Sequence, residues 1–408
     1  MTETVTKKKL EEKYKYLEKV KNMIMQCISC GDCREATDYT SDPQKWGVCV
    51  AREHSTGFEP FFGRGKMQII RSIWQGKLEL SKDLAEVIYQ CPLCNSCAST
   101  CAYDFDNATV YEALRAELVE AGCGLESHAA MNEAIIEYLN PYKRENSEKN
   151  AWLEKLDFKV KDASSDTAEV LYFVGCTAAL TSDIEPIAVN TAKILQKLEV
   201  NFAVLGENEV CCGSVALRTG DRKTFNFAAE KNLKVFQKSG AKTIITSCAG
   251  CYRTLKLDYE EKLKPLGIEV RHTLEFIQQI LEEKKIQLKN LGITATFHDP
   301  CHTGRGSGDE PLYEEPRKIL AQLAEIKEMK TIKENAKCCG AGGGVKKAFP
   351  ELALEIAKSR IEEAEETGAE YLVSICPFCN RNLTDAIKAT NSKIKMVDLL
   401  ELLEQALT

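Results

Sequence analysis

The 408-residue chain is poor in tryptophan and histidine, with three and five, and has only eleven prolines. No apolar run approaches the ~20 residues that cross a bilayer. There is no excess of basic charge. A formal net charge of −7 offers no footprint for nucleic acid and repels anionic lipid. The N-terminal "MTETVTKKKLEEKYKYLEKV" is charged throughout and has no apolar core of the kind an export signal needs. Nucleotide fingerprints are missing as well. "CHTGRGSGD" comes nearest, but it matches neither the P-loop nor G-x-G-x-x-G, and no flavin fingerprint occurs elsewhere. The expectation is a cytoplasmic chain, with room for peripheral docking at the inner face of a membrane through a partner.

Nineteen cysteines are present. Without an export signal, in a reducing compartment, they point to metal or redox chemistry rather than disulfides. Eighteen fall into regular groups. Cys123, in "EAGCGLE", stands alone and reads as a small core hydrophobe.

The texture divides the chain in two. Residues 1–140 read as helical, beginning with a charged helix over 1–26. Residues 141–167, "PYKRENSEKNAWLEKLDFKVKDASSDT", are polar and read as a linker. Beyond them, short β-branched runs alternate with amphipathic stretches: "EVLYFVG", "NFAVLG", "TIITSC", "IEVRHT", "TATFHD", "YLVSIC" and "IKMVDL". That alternation predicts an α/β domain with a mostly parallel sheet. The expected fold is therefore α+β in two parts. A mainly helical N-terminal domain with two clusters, ferredoxin-like, precedes a duplicated α/β domain with pseudo-symmetric lobes at 168–290 and 291–408.

"CISCGDC" supplies Cys27, Cys30 and Cys33, and "CPLCNSCASTC" supplies Cys91, Cys94, Cys97 and Cys101. The second matches the C-x2-C-x2-C-x3-C run of two-cluster ferredoxins, whose fourth cysteine ligates the other cluster. Cys101 is accordingly assigned to the [4Fe-4S] cubane of Cys27, Cys30 and Cys33. The first motif has Thr37 where its fourth cysteine should stand, and the next cysteine is Cys49. An insertion has moved the fourth ligand outward, so Cys49 is expected to complete the cubane of Cys91, Cys94 and Cys97. Structural zinc also uses C-x2-C pairs, but triplets at this spacing suit it poorly. Arg64, Lys66 and Arg71 lie between the motifs. They could screen cluster charge or meet a partner; a solvated helix face is the simpler expectation.

The second half repeats its cysteines. Cys176, Cys211-Cys212, Cys248 and Cys251 are separated by 34, 35 and 2 residues. Cys301, Cys338-Cys339, Cys376 and Cys379 are separated by 36, 36 and 2. Most follow strand patterns, and ligands bind beyond the carboxyl ends of parallel strands.

This repeated pattern, with "NEVCCGSV", "AKCCGAGGG" and "HDPCHTGRG", resembles the CCG domains of heterodisulfide reductase. The arrangement is similar to the D subunit of the membrane-linked enzyme, and equally to fused C and B subunits of the soluble one. The resemblance implies two non-cubane [4Fe-4S] clusters, one on each set of five cysteines. It implies a disulfide substrate lying between them, such as the coenzyme M–coenzyme B heterodisulfide of methanogens, and electrons delivered through the two cubanes. A flavoprotein or a b-type haem membrane subunit would be the electron donor, within a hetero-oligomeric complex. The same arrangement also occurs in electron-transfer subunits of anaerobic lactate or glycolate dehydrogenase-type and benzoyl-CoA reductase-type complexes, without disulfide chemistry. His298 and His302 bracket Cys301. They could protonate leaving thiolates or hydrogen-bond cluster sulfur, and the second role is favoured. Gly340, Gly342, Gly343 and Gly344 mark where backbone must come close, to cluster or to substrate, with a plain tight turn an equal alternative.

Overall fold

A computed structural model describes residues 13–34, 49–103 and 106–407. The chain gathers into two compact bodies. The first contains residues 1–130 together with 215–222 and 337–356; the second contains 131–214, 223–336 and 357–408.

The first body is built from helices. Helix Lys82–Ile88 starts where Ser81 accepts from Leu84 N at 3.2 Å. Helix Asn107–Glu120 starts where Asp106 accepts from Thr109 N at 3.2 Å, so both use short polar caps that satisfy otherwise unpaired amides. Helix Gly63–Trp74 buries Met67, Ile70 and Ile73 against Leu17, Ile24, Ile88 and Leu114. The charged N-terminal stretch forms Lys15–Lys19 and Lys21–Gln26; its expected helical part before residue 13 lies outside the described residues. Cys123 is half-buried against this core.

Two segments far along the chain join this body through Arg115. Its Nη1 donates to Arg218 O at 2.8 Å and Gly343 O at 2.7 Å. Its Nη2 donates to Ile88 O at 3.1 Å and Cys91 O at 2.6 Å. The guanidinium is fully buried and stacks over Tyr89, whose hydroxyl donates to Thr219 O at 2.8 Å. Nearby, Arg218 and Glu112 form a buried ion pair at 2.7 Å.

The second body holds two parallel sheets. Strands β1 (Lys161–Asp162), β2 (Val170–Tyr172), β3 (Phe202–Val204), β4 (Thr243–Thr246) and β5 (Glu269–His272) are ordered β1-β3-β2-β4-β5. Strands β6 (Ile293–Phe297), β7 (Ala324–Ile326), β8 (Tyr371–Ser374) and β9 (Lys395–Asp398) are ordered β7-β6-β8-β9. Without β1, the first order repeats in the second. Six strands fall inside the expected runs, and β6 begins one residue before its run. The other two had no such run: β1 is two exposed residues and β7 is three with a central glutamate. Inside the polar stretch 141–167, Asn146–Lys155 forms a 3-10 helix with Trp152 and Lys149 buried.

The sheets share one apolar seam. Ile187 and Ile194 of helix Pro186–Lys197 and Leu274 and Ile277 of helix Thr273–Lys284 join a core with Ile319, Leu320, Leu399 and Leu403. Each such burial contributes roughly 1.5–3 kcal/mol. Pairing within β2, β4, β6 and β8 is parallel throughout, so the strand ends followed by cysteine all emerge on their carboxyl side.

Candidate metal centres

Eight cysteines of the first body surround two cavities. One, of about 370 Å³, is lined by Cys49, Cys91, Cys94 and Cys97, with Lys66 and Tyr111. The other, of about 380 Å³, is lined by Cys27, Cys30, Cys33 and Cys101, with Arg64 and Tyr103. Gly63 lines both. A Cβ there would stand 2.7 Å from Cys33 Sγ, so glycine thins the wall between the cavities. The intervening stretch 35–48, which carries Thr37, lies outside the described residues.

The donor set suits iron–sulfur clusters. Burial pushes the Cys33 thiol up to about 12 and the Cys49 thiol up to about 11. Such thiols bind as thiolates when a cationic centre takes the place of their protons. Lys66 favours the Cys49 thiolate. The solvated-face expectation fails for this lysine: Lys66 is 1% exposed, and its ammonium donates to Phe61 O. The amphipathic helix turns that position toward the cavity because its stem packs as an apolar group. Arg71 is half-buried and donates to Ile24 O at 2.8 Å and also to Cys27 O. Arg64 reaches toward the surface and pairs with Glu59.

The five cysteines of the first repeat come together in the second body. Cys176 reaches Cys211, Cys211 reaches Cys212, Cys212 reaches Cys251, and Cys251 reaches Cys248, each within hydrogen-bonding range. Interactions with Cys211 and Cys251 lower the Cys212 thiol from its ordinary range. The bond from Cys176 lowers Cys211, but the bond Cys211 makes to Cys212 and its burial outweigh this and push it up to about 12. Gly213, at φ 81°, donates its N–H to Cys211 Sγ at 3.5 Å. Asn232 clamps the loop by donating to Val210 O and Cys211 O, both at 3.1 Å.

A charge pair supports this array. Lys149 Nζ lies 3.2 Å from Glu209 Oε1, with side chains 1% and 2% exposed. Glu209 also accepts from Val174 N at 2.8 Å and Gly175 N at 3.0 Å, fixing the turn before Cys176. Burial opposes the Lys149 charge, but Cys176 and Glu209 more than offset it, so its pKa rises. No sequence signal distinguishes Lys149 from the surface lysines of its polar stretch.

Of the second repeat, Cys301, Cys376 and Cys379 belong to the second body, and Cys338 and Cys339 to the first. Cys376 begins helix Pro377–Thr390 as its N-cap, as Cys248 begins Ala249–Arg253. Gly340, at φ 85°, donates to Cys338 Sγ at 3.4 Å, repeating the bond in the first CCG motif. Cysteines of the two sets are also neighbours: Cys376, together with burial, raises the pKa of the Cys248 thiol.

The histidines that bracket Cys301 go to different places. A ring nitrogen of His298 lies within 4.8 Å of Cys379 Sγ. His302 faces the first repeat instead. The Cβ position of Gly250 is 3.9 Å from His302 Nδ1 and 3.8 Å from both Cys248 Sγ and Ser214 Oγ. His272 is buried and accepts from Leu274 N at 3.3 Å as a helix cap; burial lowers its pKa to about 4.

The glycine loop packs on backbone of the first body. Added Cβ atoms would stand 2.8 Å from Pro92 O at Gly342, 2.7 Å from Cys91 O at Gly343, and 2.5 Å from His128 Nε2 at Gly344. His128 Nε2 lies 2.9 Å from Gly344 O. The close approach is thus to the chain that carries Cys91.

Buried thiols grouped around paired cavities and at the carboxyl ends of parallel strands define an iron–sulfur redox protein. The family model described as "Cysteine-rich domain" (CCG) matches twice, at residues 170–256 and 295–384. The chain is 35% identical over 394 residues, 93% of both chains, to the D subunit of dihydromethanophenazine:CoB–CoM heterodisulfide reductase from Methanosarcina barkeri. The chain belongs to this family of heterodisulfide reductase D subunits, iron–sulfur components of oxidoreductases. It is also 30% identical to the B subunit of fumarate reductase (CoM/CoB) from Methanothermobacter marburgensis, over 79% of this chain and 62% of that one. With the EtfAB:quinone oxidoreductase of Syntrophomonas wolfei it shares 28% identity over 79% of this chain and 47% of that one. A solved structure of a hypothetical protein from Helicobacter pylori shares the fold at a TM-score of 0.52 and 12% identity, covering 91% of this chain and 69% of that one. No helix among the described residues is long and apolar enough to cross a membrane.

Proposed function

We propose that this chain carries electrons through two cubanes to two non-cubane clusters and there reduces a disulfide of the coenzyme M–coenzyme B type. Residues 1–140 would act as the ferredoxin-like carrier, and 168–290 and 291–408 as pseudo-symmetric CCG lobes. Cys27, Cys30, Cys33 and Cys101 would hold one cubane, and Cys49, Cys91, Cys94 and Cys97 the other. The two five-cysteine sets would hold the non-cubane pair. When bound, these clusters supply one-electron transfer, and a pair of them matches the two electrons that an S–S bond requires.

The observation that carries this reading is that Cys248 of the first repeat and Cys376 of the second are neighbours at the carboxyl ends of β4 and β8. It supports a substrate held between the two sets. Two electrons and two protons convert the disulfide to two thiols. His302, near Gly250 and Cys248, is suited to supply one proton.

The chain would work in a hetero-oligomeric complex. A flavoprotein or b-type haem membrane protein would be its electron donor, so the chain could sit peripherally at the inner membrane face. Anaerobically purified protein should contain roughly sixteen irons, from four clusters of four; about eight would remove the non-cubane pair. Reduced protein mixed with the heterodisulfide in stopped flow should be reoxidised and show a thiol-dependent paramagnetic signal. No reoxidation refutes the reductase reading.

A second reading is an electron-transfer component without disulfide chemistry. It is favoured by the likeness to an EtfAB:quinone oxidoreductase. Reoxidation by a flavoprotein but not by any disulfide would select it.

A further inference from the structure

We propose that Arg360 locks His298 as a fixed N–H donor to the sulfur of Cys379, raising the potential of the second-repeat cluster. This rests on the reading that the second repeat holds a cluster.

Arg360 and His298 are both fully buried. Arg360 Nε donates to His298 Nδ1 at 3.2 Å. A guanidinium offers only donors, so Nδ1 must be the acceptor, and the ring proton sits on Nε2. That Nε2 is buried and has no hydrogen-bond partner among the described residues. Cys379 Sγ lies within 4.8 Å of the ring nitrogen that faces it, and Nδ1 is already taken. The imidazole is therefore set to present its N–H toward this sulfur.

Arg360 is itself held. Its Nη1 donates to Thr331 O at 2.9 Å, Thr331 Oγ1 at 3.0 Å and Glu363 Oε2 at 2.8 Å. The ring cannot exchange roles between its nitrogens without breaking the Arg360 contact. Arg360 thus acts through His298, as a positioning residue.

The first repeat lacks this device. The residue three before Cys176 is Phe173, buried and without a polar atom, where His298 stands three before Cys301. On helix Arg222–Ser239, Asn232 spends its donors on the Val210 and Cys211 carbonyls. Hydrogen bonds to cluster sulfur stabilise the more negative, reduced state and raise the potential. Losing that N–H should therefore lower the potential of the second-repeat cluster.

The test is an EPR-monitored redox titration of the full-length, cluster-loaded protein and its variants. His298→Phe should lower the midpoint of one non-cubane cluster by about tenfold in its oxidised-to-reduced ratio, or roughly 59 mV for a one-electron couple. Iron content and the other midpoints should not change. Arg360→Met should shift the same midpoint in the same direction, and Arg360→Lys, which can still donate to Nδ1, should restore it. Unchanged potentials in His298→Phe at full iron content overturn the proposal. Loss of iron there also overturns it, because His298 would then be a ligand. If the variants fail to fold, 15N-histidine NMR of the wild type decides: a proton on Nδ1 of His298 defeats the proposal. If the wild type shows no second non-cubane signal, it is the underlying cluster reading that fails.

Discussion

Replacing Arg115 by methionine tests the packing of the first body most severely. The side chain donates to four neutral carbonyls, at 2.6–3.1 Å, in a fully buried site. Methionine fills similar volume but donates nothing. Ile88 O keeps the Cys91 amide, and each of the other three carbonyls left buried and unpaired costs about 1–3 kcal/mol, roughly 3–9 kcal/mol together. Removing the buried charge offsets part of this, which places the expected loss near the lower end, at about 3 kcal/mol. A typical domain is stable by only about 5–15 kcal/mol, so the first body should stand close to unfolding. Urea titration under anaerobic conditions, followed by cluster absorption and by fluorescence, measures it. Arg115→Lys keeps the charge and fewer donors and should fall between wild type and methionine. A methionine variant within about 0.5 kcal/mol of wild type would show that water or relaxation satisfies these carbonyls, and the clasp would not be what holds residues 215–222 and 337–356.

Gly63→Ala puts a methyl 2.7 Å from Cys33 Sγ, well inside the ~3.5–4.0 Å of favourable contact; iron content should fall by about four, one cubane, and an intact EPR spectrum would exclude the shared-wall geometry. Lys149→Met leaves Glu209 buried without its cation and should destabilise the second body by about 3–5 kcal/mol; Lys149→Met with Glu209→Gln should recover much of that in denaturant melts, and no recovery would refute the pairing. His272 is held to about 4 by burial against an ordinary value near 6.5. The unfolded chain therefore takes up a proton between these values that the folded chain refuses, and stability falls as pH drops through that window. In metal-free protein, the advantage of wild type over His272→Phe should shrink by up to about 3 kcal/mol between pH 6.5 and 4; a constant difference contradicts a buried neutral ring.

What could be read from the residues follows their chemistry. Seven strands were legible because β-branched runs end in turn residues, and β1 and β7 were not, because two or three residues carry no pattern. Cys49 lines one cavity with Cys91, Cys94 and Cys97; the expectation groups it with them from the ferredoxin pattern in which a fourth cysteine serves the other cluster, not from its own spacing. Charged residues were the blind spot. Lys66, Arg115, Lys149 and Arg360 each sit on a helix or polar stretch that reads as surface, and each is buried because its partners are remote carbonyls, carboxylates or rings. His298 and His302, four apart in sequence, diverge because the turn after β6 sends them toward different cysteines.

The Arg115 clasp also sets a clock. Gly343 lies 228 residues after Arg115, and at about 5–20 residues per second a ribosome needs roughly 11–46 s to reach it. During that interval the nascent first body has the eight cysteines of its two cavities but lacks the loop that packs on the backbone at Cys91. Residues 215–222 and 337–356 therefore join this body only after its other segments have been made.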